Sequence, residues 1–200
     1  IFLIFLIAII SYVVFIIFRF RGREEKSVDS VYLQVSVPRL NETKIDAMEQ
    51  IFSSLYSMKK GGWKQKFSVQ PSISFEIIAK EEDIKFYVWT PTEYKDLVEK
   101  QIHGAYADAE IKEVPEVNIF EASPSDGEAG KVAYKSLQLS KANHYPLKTF
   151  KDLPTDILTS LTSSLAKLKE GEGVAIQILI SPAESDWQKA GGKFISDTKK

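Results

Sequence analysis

The chain has 200 residues, a formal net charge of −1 and no cysteine. That balance excludes a bulk basic nucleic-acid footprint, and the missing cysteines exclude a disulfide scaffold. Without cysteine, and with only His103 and His144 as imidazoles, no local motif assembles an ordinary zinc site.

The first 18 residues, IFLIFLIAIISYVVFIIF, carry no charge and one clearly polar side chain, Ser11. An apolar run of this length approaches the ~20 residues that cross a ~30 Å hydrocarbon core, and residues 1–20 are predicted to be a transmembrane helix. Arg19, Arg21 and Arg23 follow directly; a cationic short flank stays cytoplasmic. These three arginines are the predicted membrane-interface residues, facing anionic headgroups. The expected localisation is therefore the plasma (inner) membrane, single-pass, with the soluble part cytoplasmic. The run starts at Ile1 without an initiator Met, and polar Ser196–Lys200 closes no element, so a fragment of a longer chain is expected.

Residues 21–30 form a charged linker. Val31–Val37 then alternates with period two, placing Val31, Leu33, Val35 and Val37 on one face of a strand that Pro38 ends. Asn41 is the predicted cap of a helix striped by Ile45, Met48, Ile51, Phe52, Leu55 and Tyr56 and stopped at Gly61-Gly62. Ser72–Ala79 and Ile84–Thr90 read as strands separated by the hairpin-length Lys80–Asp83. Pro91-Thr92-Glu93 opens a second helix whose stripe is Tyr94, Leu97, Val98 and Ile102, and Ala107–Val114 is a weaker strand.

Strand, helix, strand, strand, helix, strand over 31–117 is the order of a split βαβ, ferredoxin-like unit. The predicted fold class is thus α+β: a transmembrane helix, a ferredoxin-like unit, and a second, possibly incomplete, related α/β unit over 118–200. That second unit follows the acidic loop Ser123–Gly130. It consists of a strand at Lys131–Leu139, a helix opened by Asp152 or Thr155 and carrying Ile157, Leu158, Leu161, Leu165 and Leu168, the apolar strand Gly173–Ile180, and a helix starting near Ser185-Asp186-Trp187. One larger α+β sheet is the competing arrangement.

Motifs for chemistry are absent. Gly130-Lys131 and Gly192-Lys193 lack the first glycine and the hydroxyl of a phosphate-binding loop. Ser163 and Ser164 sit in no G-x-S-x-G elbow. Acid runs such as Glu81-Glu82-Asp83 and Glu110/Glu113/Glu116 read as solvated turns and faces. Asn41-Glu42-Thr43 matches a glycosylation sequon, but on the cytoplasmic side the Asn is a helix cap. Tyr87 and Trp89 share one strand face, where aromatics in some ferredoxin-like modules stack RNA bases; packing against the neighbouring unit or the linker is the reading adopted. No catalytic, cofactor or metal residue is assigned.

Three passages, VYLQVSVPRLNETKIDAMEQIFSSLY (31–56), SISFEIIAKEEDIKFYVWTPTEYKDLVEKQIHGAYADAEIKEV (72–114) and GEGVAIQILISPAESDWQKAG (171–191), carry a resemblance. Together they resemble the membrane-anchored N-terminal region ahead of the motor in coupling-type conjugative DNA-transfer ATPases of the type IV secretion class, particularly of candidate-phyla bacteria. The markers are V-P-R after the first strand, I-S-F-E-I, and I-Q-I-L-I followed by Pro and Trp; none is a catalytic signature. The resemblance implies a non-enzymatic anchoring and assembly region with a P-loop motor following it. Its expected partners are the lipid bilayer, further copies of itself and secretion-machine proteins, with no direct nucleic-acid contact and no cofactor. The alternative is a free-standing membrane-tethered cytoplasmic module binding a protein or ligand; an undetected hydrolase is a distant third.

Overall fold

The computed structural model describes residues 2–62, 70–80, 83–119, 131–152 and 157–198, and for 18–28, 150 and 157 the backbone alone. The expected acidic loop Ser123–Gly130, the helix-opening Thr155 and the hairpin residues Glu81 and Glu82 lie outside the described residues.

Helix α1 spans Phe2–Val28, 27 residues. It continues through the segment expected as a charged linker, and strand β1 (Ser30–Ser36) begins two residues later. The expected transmembrane helix is not supported: among the described residues, no helix is long and apolar enough to cross a membrane. The apolar side chains described on α1 run from Phe2 to Ile17, a rise of about 24 Å, against the ~30 Å that a hydrocarbon core requires.

Helix α2 (Asp46–Leu55) starts later than a cap at Asn41 predicts. The Asn41 Oδ1 instead accepts the Thr43 backbone N–H at 3.1 Å, a local turn that competes with helix entry. The helix opens through backbone bonds, with Met48 N–H donating to Ile45 O at 3.0 Å. A 3-10 turn at Tyr56–Met58 ends it. Strands β2 (Ile73–Lys80) and β3 (Asp83–Pro91) follow. The Thr92–Tyr94 turn then feeds helix α3 (Lys95–Ala105), and strand β4 is Glu110–Val114. Lys95 Nζ meets Glu113 Oε2 at 2.5 Å, tying the start of α3 to β4.

Beyond β4, residues 131–139 form no strand, with Tyr134 and Leu137 almost fully exposed. Helix α4 is Ile157–Leu165, strand β5 is Gly173–Ile180 and helix α5 is Asp186–Thr198. The sheet has five strands in the order β4-β1-β3-β2-β5. This corrects the expected second α/β unit: β5 builds no sheet of its own and extends the first one. The edge beside β2 is occupied by β5, whose apolar run supplies backbone partners and half-buried side chains.

β1 pairs antiparallel with both β3 and β4, placing Leu33 opposite Val88 and Glu113, and Gln34 opposite Tyr87 and Lys112. The period-two alternation therefore gives the sheet two distinct faces. One face packs on α2 and α3 through Leu33, Ile73, Val88, Ile51, Leu55, Val98 and Ile102. Phe52 and Phe75 meet edge-to-face at 5.3 Å across that layer. Each fully buried aliphatic side chain contributes about 1.5–3 kcal/mol, so this layer is the main source of stability.

The chain divides into two compact units. The first is Ile1–Ile78, Lys85–Val117 and Ala175–Pro182; the second is Ala79–Ile84, Asn118–Val174 and Ala183–Lys200. In the second unit, Phe194 on α5 packs on His144 and Tyr145, with both ring centroids at 5.6 Å. Within the same unit, Lys80 Nζ donates to the Asn118 carbonyl at 2.8 Å.

Candidate functional site

The sheet face turned away from α2 and α3 carries a polar row. Tyr32 comes from β1, Tyr87 from β3, Glu76 from β2 and Gln177 from β5, one residue from each of four strands in their spatial order. Alternation puts them there: Leu33, Val88 and Phe75 take the helix side, so their neighbours Tyr32, Tyr87 and Glu76 point the other way.

The Tyr32 hydroxyl donates to Glu76 Oε2 at 2.5 Å, and Gln177 Nε2 donates to Glu76 Oε1 at 3.1 Å. Each carboxylate oxygen thus has its own donor. The rings of Tyr32 and Tyr87 stack with centroids 5.0 Å apart and planes 20° from parallel. Tyr32, Glu76 and Tyr87 are all buried. Burial, first, and the hydrogen bond to Glu76, second, push the Tyr32 phenol well above the usual tyrosine range. A carboxylate with both oxygens engaged and a phenol that holds its proton form a joint between strands.

The aromatics that share a face of β3 take different places. Tyr87 spends its ring face on Tyr32, and Trp89 beside it is half-buried. His103 sits exposed in the last turn of α3, and His144 lies in the turn closed by the Tyr145 N–H to Ala142 carbonyl bond. Among the described residues, no group of three or more His, Cys, Asp or Glu side chains is arranged to hold a metal ion. The sequence reading passed over Tyr32, Glu76 and Gln177. The signal was present: Glu76 is the one charge in I-S-F-E-I-I-A and Gln177 the one polar side chain in G-V-A-I-Q-I-L-I.

Exposed apolar side chains lie along two of the described elements. Along α1, Phe2, Ile4, Phe5, Ile7, Ile10 and Val14 are all exposed. Along β5, Ile178 and Leu179 are exposed. Arg19, Arg21 and Arg23 lie within α1, and their side chains are outside the described residues.

The model of DUF8128, a domain of unknown function, matches residues 20–199. The chain belongs to the DUF8128 family. No curated protein and no solved structure matches it. The DUF8128 match takes in all five strands and starts beyond most of the apolar stretch of α1.

Proposed function

We propose that this DUF8128 chain is a non-catalytic attachment and assembly region of a larger translocating machine of the type IV secretion class. The observation that carries the attachment half is the exposure of every side chain of α1 from Phe2 to Val14. Phe2 is 84% exposed, Ile4 72% and Tyr12 65%. A helix apolar all round is normally covered by a large core or by lipid. Covering about a dozen such side chains is worth on the order of 20 kcal/mol. That far exceeds the ~1 kcal/mol each that cationic flanking residues contribute at an anionic surface.

The occupant we favour is a lipid surface, into which α1 buries its apolar side chains. The support for the machine is the resemblance carried by residues 31–191. The polar row fits a part that must be rigid rather than reactive. Surface attachment confines copies to two dimensions and raises their effective concentration, so that weak interfaces suffice for assembly.

Vesicle flotation tests the attachment. The full chain, released from detergent into phosphatidylcholine–phosphatidylglycerol vesicles, is expected to float with the lipid. Ile7→Asp combined with Ile10→Asp is expected to leave it at the bottom of the gradient with unchanged circular dichroism. A wild-type chain that stays at the bottom beside intact vesicles overturns the attachment reading.

A further inference from the structure

The charges of the whole chain nearly cancel, at −1, but they are not evenly spread. Residues 131–151 hold Lys131, Lys135, Lys141, Lys148 and Lys151 and no Asp or Glu. Every residue from 131 to 149 is exposed except the half-buried His144. Between the lysines stand Val132, Tyr134, Leu137, Leu139 and Leu147, and Tyr134 is 96% exposed. Neither Gly nor Pro occurs before Pro146, and residues 131–139 form no helix or strand. A solvated loop is ordinarily built from polar and turn-forming side chains. This stretch instead interleaves cations with apolar groups that the fold leaves uncovered.

Helix α5, in the same unit, holds the stretch at one point. Phe194 packs on His144 and Tyr145, whose own rings lie 4.7 Å apart. Lys141 Nζ stands 5.4 Å from the centroid of the Tyr145 ring. A Cβ on Gly191 would meet the His144 Cβ at 3.4 Å, so helix and turn approach closely there. α5 buries none of its residues. Trp187, Phe194 and Ile195 recur at helical spacing along one side and are exposed, while Lys189 and Lys193 fall on the other.

We propose that residues 131–149, together with α5, dock on an anionic lipid surface, with the lysines at the headgroups and the apolar side chains between them. This deepens the attachment reading above and rests on it: α1 supplies the apolar attachment, and this stretch selects for negative charge. The residue types choose the occupant. Cations without an acid among them call for a negative partner, and each lysine at an anionic leaflet is worth about five-fold in affinity. Lysine lays its methylene stem along apolar surface and keeps its ammonium in water, which suits the headgroup boundary. Aliphatic side chains such as Leu137 and Leu147 bury themselves at the acyl boundary, whereas nucleic-acid grooves rely on arginine and stacked aromatics. The stretch holds no arginine. Trp and Tyr, here Trp187, Tyr134 and Tyr145, are the side chains that gather at a membrane interface.

The chain contains no cysteine, so Leu137→Cys carries an environment-sensitive dye at that position alone. The labelled full chain is moved from detergent onto vesicles. On phosphatidylcholine–phosphatidylglycerol the dye is expected to shift to the blue and to be quenched by spin-labelled lipid. On phosphatidylcholine alone it should stay in water, although the chain floats with both. Lys135→Gln, Lys141→Gln and Lys148→Gln combined are expected to weaken the response at least ten-fold without preventing flotation. Salt at about 1 M, where the screening length falls to ~3 Å, should do the same. A floating chain whose dye stays in water on anionic vesicles overturns the proposal and leaves the α1 attachment standing. So does a response that the three glutamines leave unchanged. A dye that answers a single-stranded oligonucleotide but not anionic vesicles also overturns it and reassigns the stretch to nucleic acid. Flotation and dye response confined to anionic vesicles would instead sink the reading of α1 alone.

Discussion

Tyr32 and Glu76 lie 44 residues apart in the chain and meet through a 2.5 Å hydrogen bond, with the phenol donating to a carboxylate in a buried site. Gln177, 101 residues beyond Glu76, takes the other carboxylate oxygen. Three strands that sequence keeps far apart are thus pinned at one point. No buried side-chain polar atom among the described residues lacks a partner. A fully satisfied network of this kind favours one strand arrangement over its alternatives, because any slip strands a buried polar group.

Removing the donor tests that role. Tyr32→Phe keeps the ring stack on Tyr87 but leaves Glu76 Oε2 without its partner. A loss of about 1.5–3 kcal/mol is expected, the usual range for a hydrogen bond to a charged group. Urea denaturation measures it, and combining Tyr32→Phe with Glu76→Gln should give a clearly non-additive total. A loss under about 0.5 kcal/mol would mean that the bond does not hold the strands.

Alkali should act through the same tyrosine. Its phenol is held above the ordinary value of 10.0 in the folded chain, chiefly by burial. The unfolded chain then loses this proton first as pH rises. Its contribution to stability is complete below about pH 10 and falls above it, by about 1.4 kcal/mol per pH unit for this group. Denaturation midpoints measured between pH 9 and 11 should show that decline, with a smaller slope in Tyr32→Phe. An identical slope in both proteins would assign the effect to other tyrosines.

In the core, Leu33 is fully buried at the centre of the helix-facing layer. Leu33→Ala should cost about 2–5 kcal/mol through lost transfer energy and the cavity left behind. Leu137, 87% exposed, supplies the contrast: Leu137→Ala should change stability by less than about 0.5 kcal/mol. Thermal melts of the two variants side by side decide it.

Two glycines with open surroundings should respond in opposite directions. Gly171 has φ +79 and sits in the Lys169–Glu172 turn that the Glu172 N–H closes on Lys169 O at 2.9 Å, ahead of β5. Gly192 lies inside α5 without a positive φ. Gly171→Ala should destabilise by about 1 kcal/mol, from backbone strain alone. Gly192→Ala should stabilise by about 0.5–1 kcal/mol, as helix propensity predicts. Chemical denaturation that finds the same sign for both would remove the conformational explanation.

Much of the fold was legible because side-chain period reports which face of an element is buried. Leu33 alternates with Tyr32 and Gln34, Ile51 and Leu55 recur at helical spacing, and so do Val98 and Ile102; all five apolar residues are buried. The candidate site was legible only as an anomaly, a glutamate and a glutamine inside apolar strands. Their meeting depends on which strands become neighbours, and local periodicity carries no information about that. The strand expected at 131–139 did not form for the same reason: alternation alone does not say which runs of the chain will pair.

The sequence by itself determined the element order β-α-β-β-α-β over residues 30–114 and the two faces of each strand, since those follow from the chemistry of neighbouring residues. Only the tertiary structure decided that β5 joins the first sheet, that Tyr32 and Gln177 meet at the two oxygens of Glu76, and that β4 and β5 are the outer strands of that sheet. Strand neighbours are chosen by competition among similar apolar runs far apart in the chain. That competition is settled by backbone pairing and by burying every polar group with a partner.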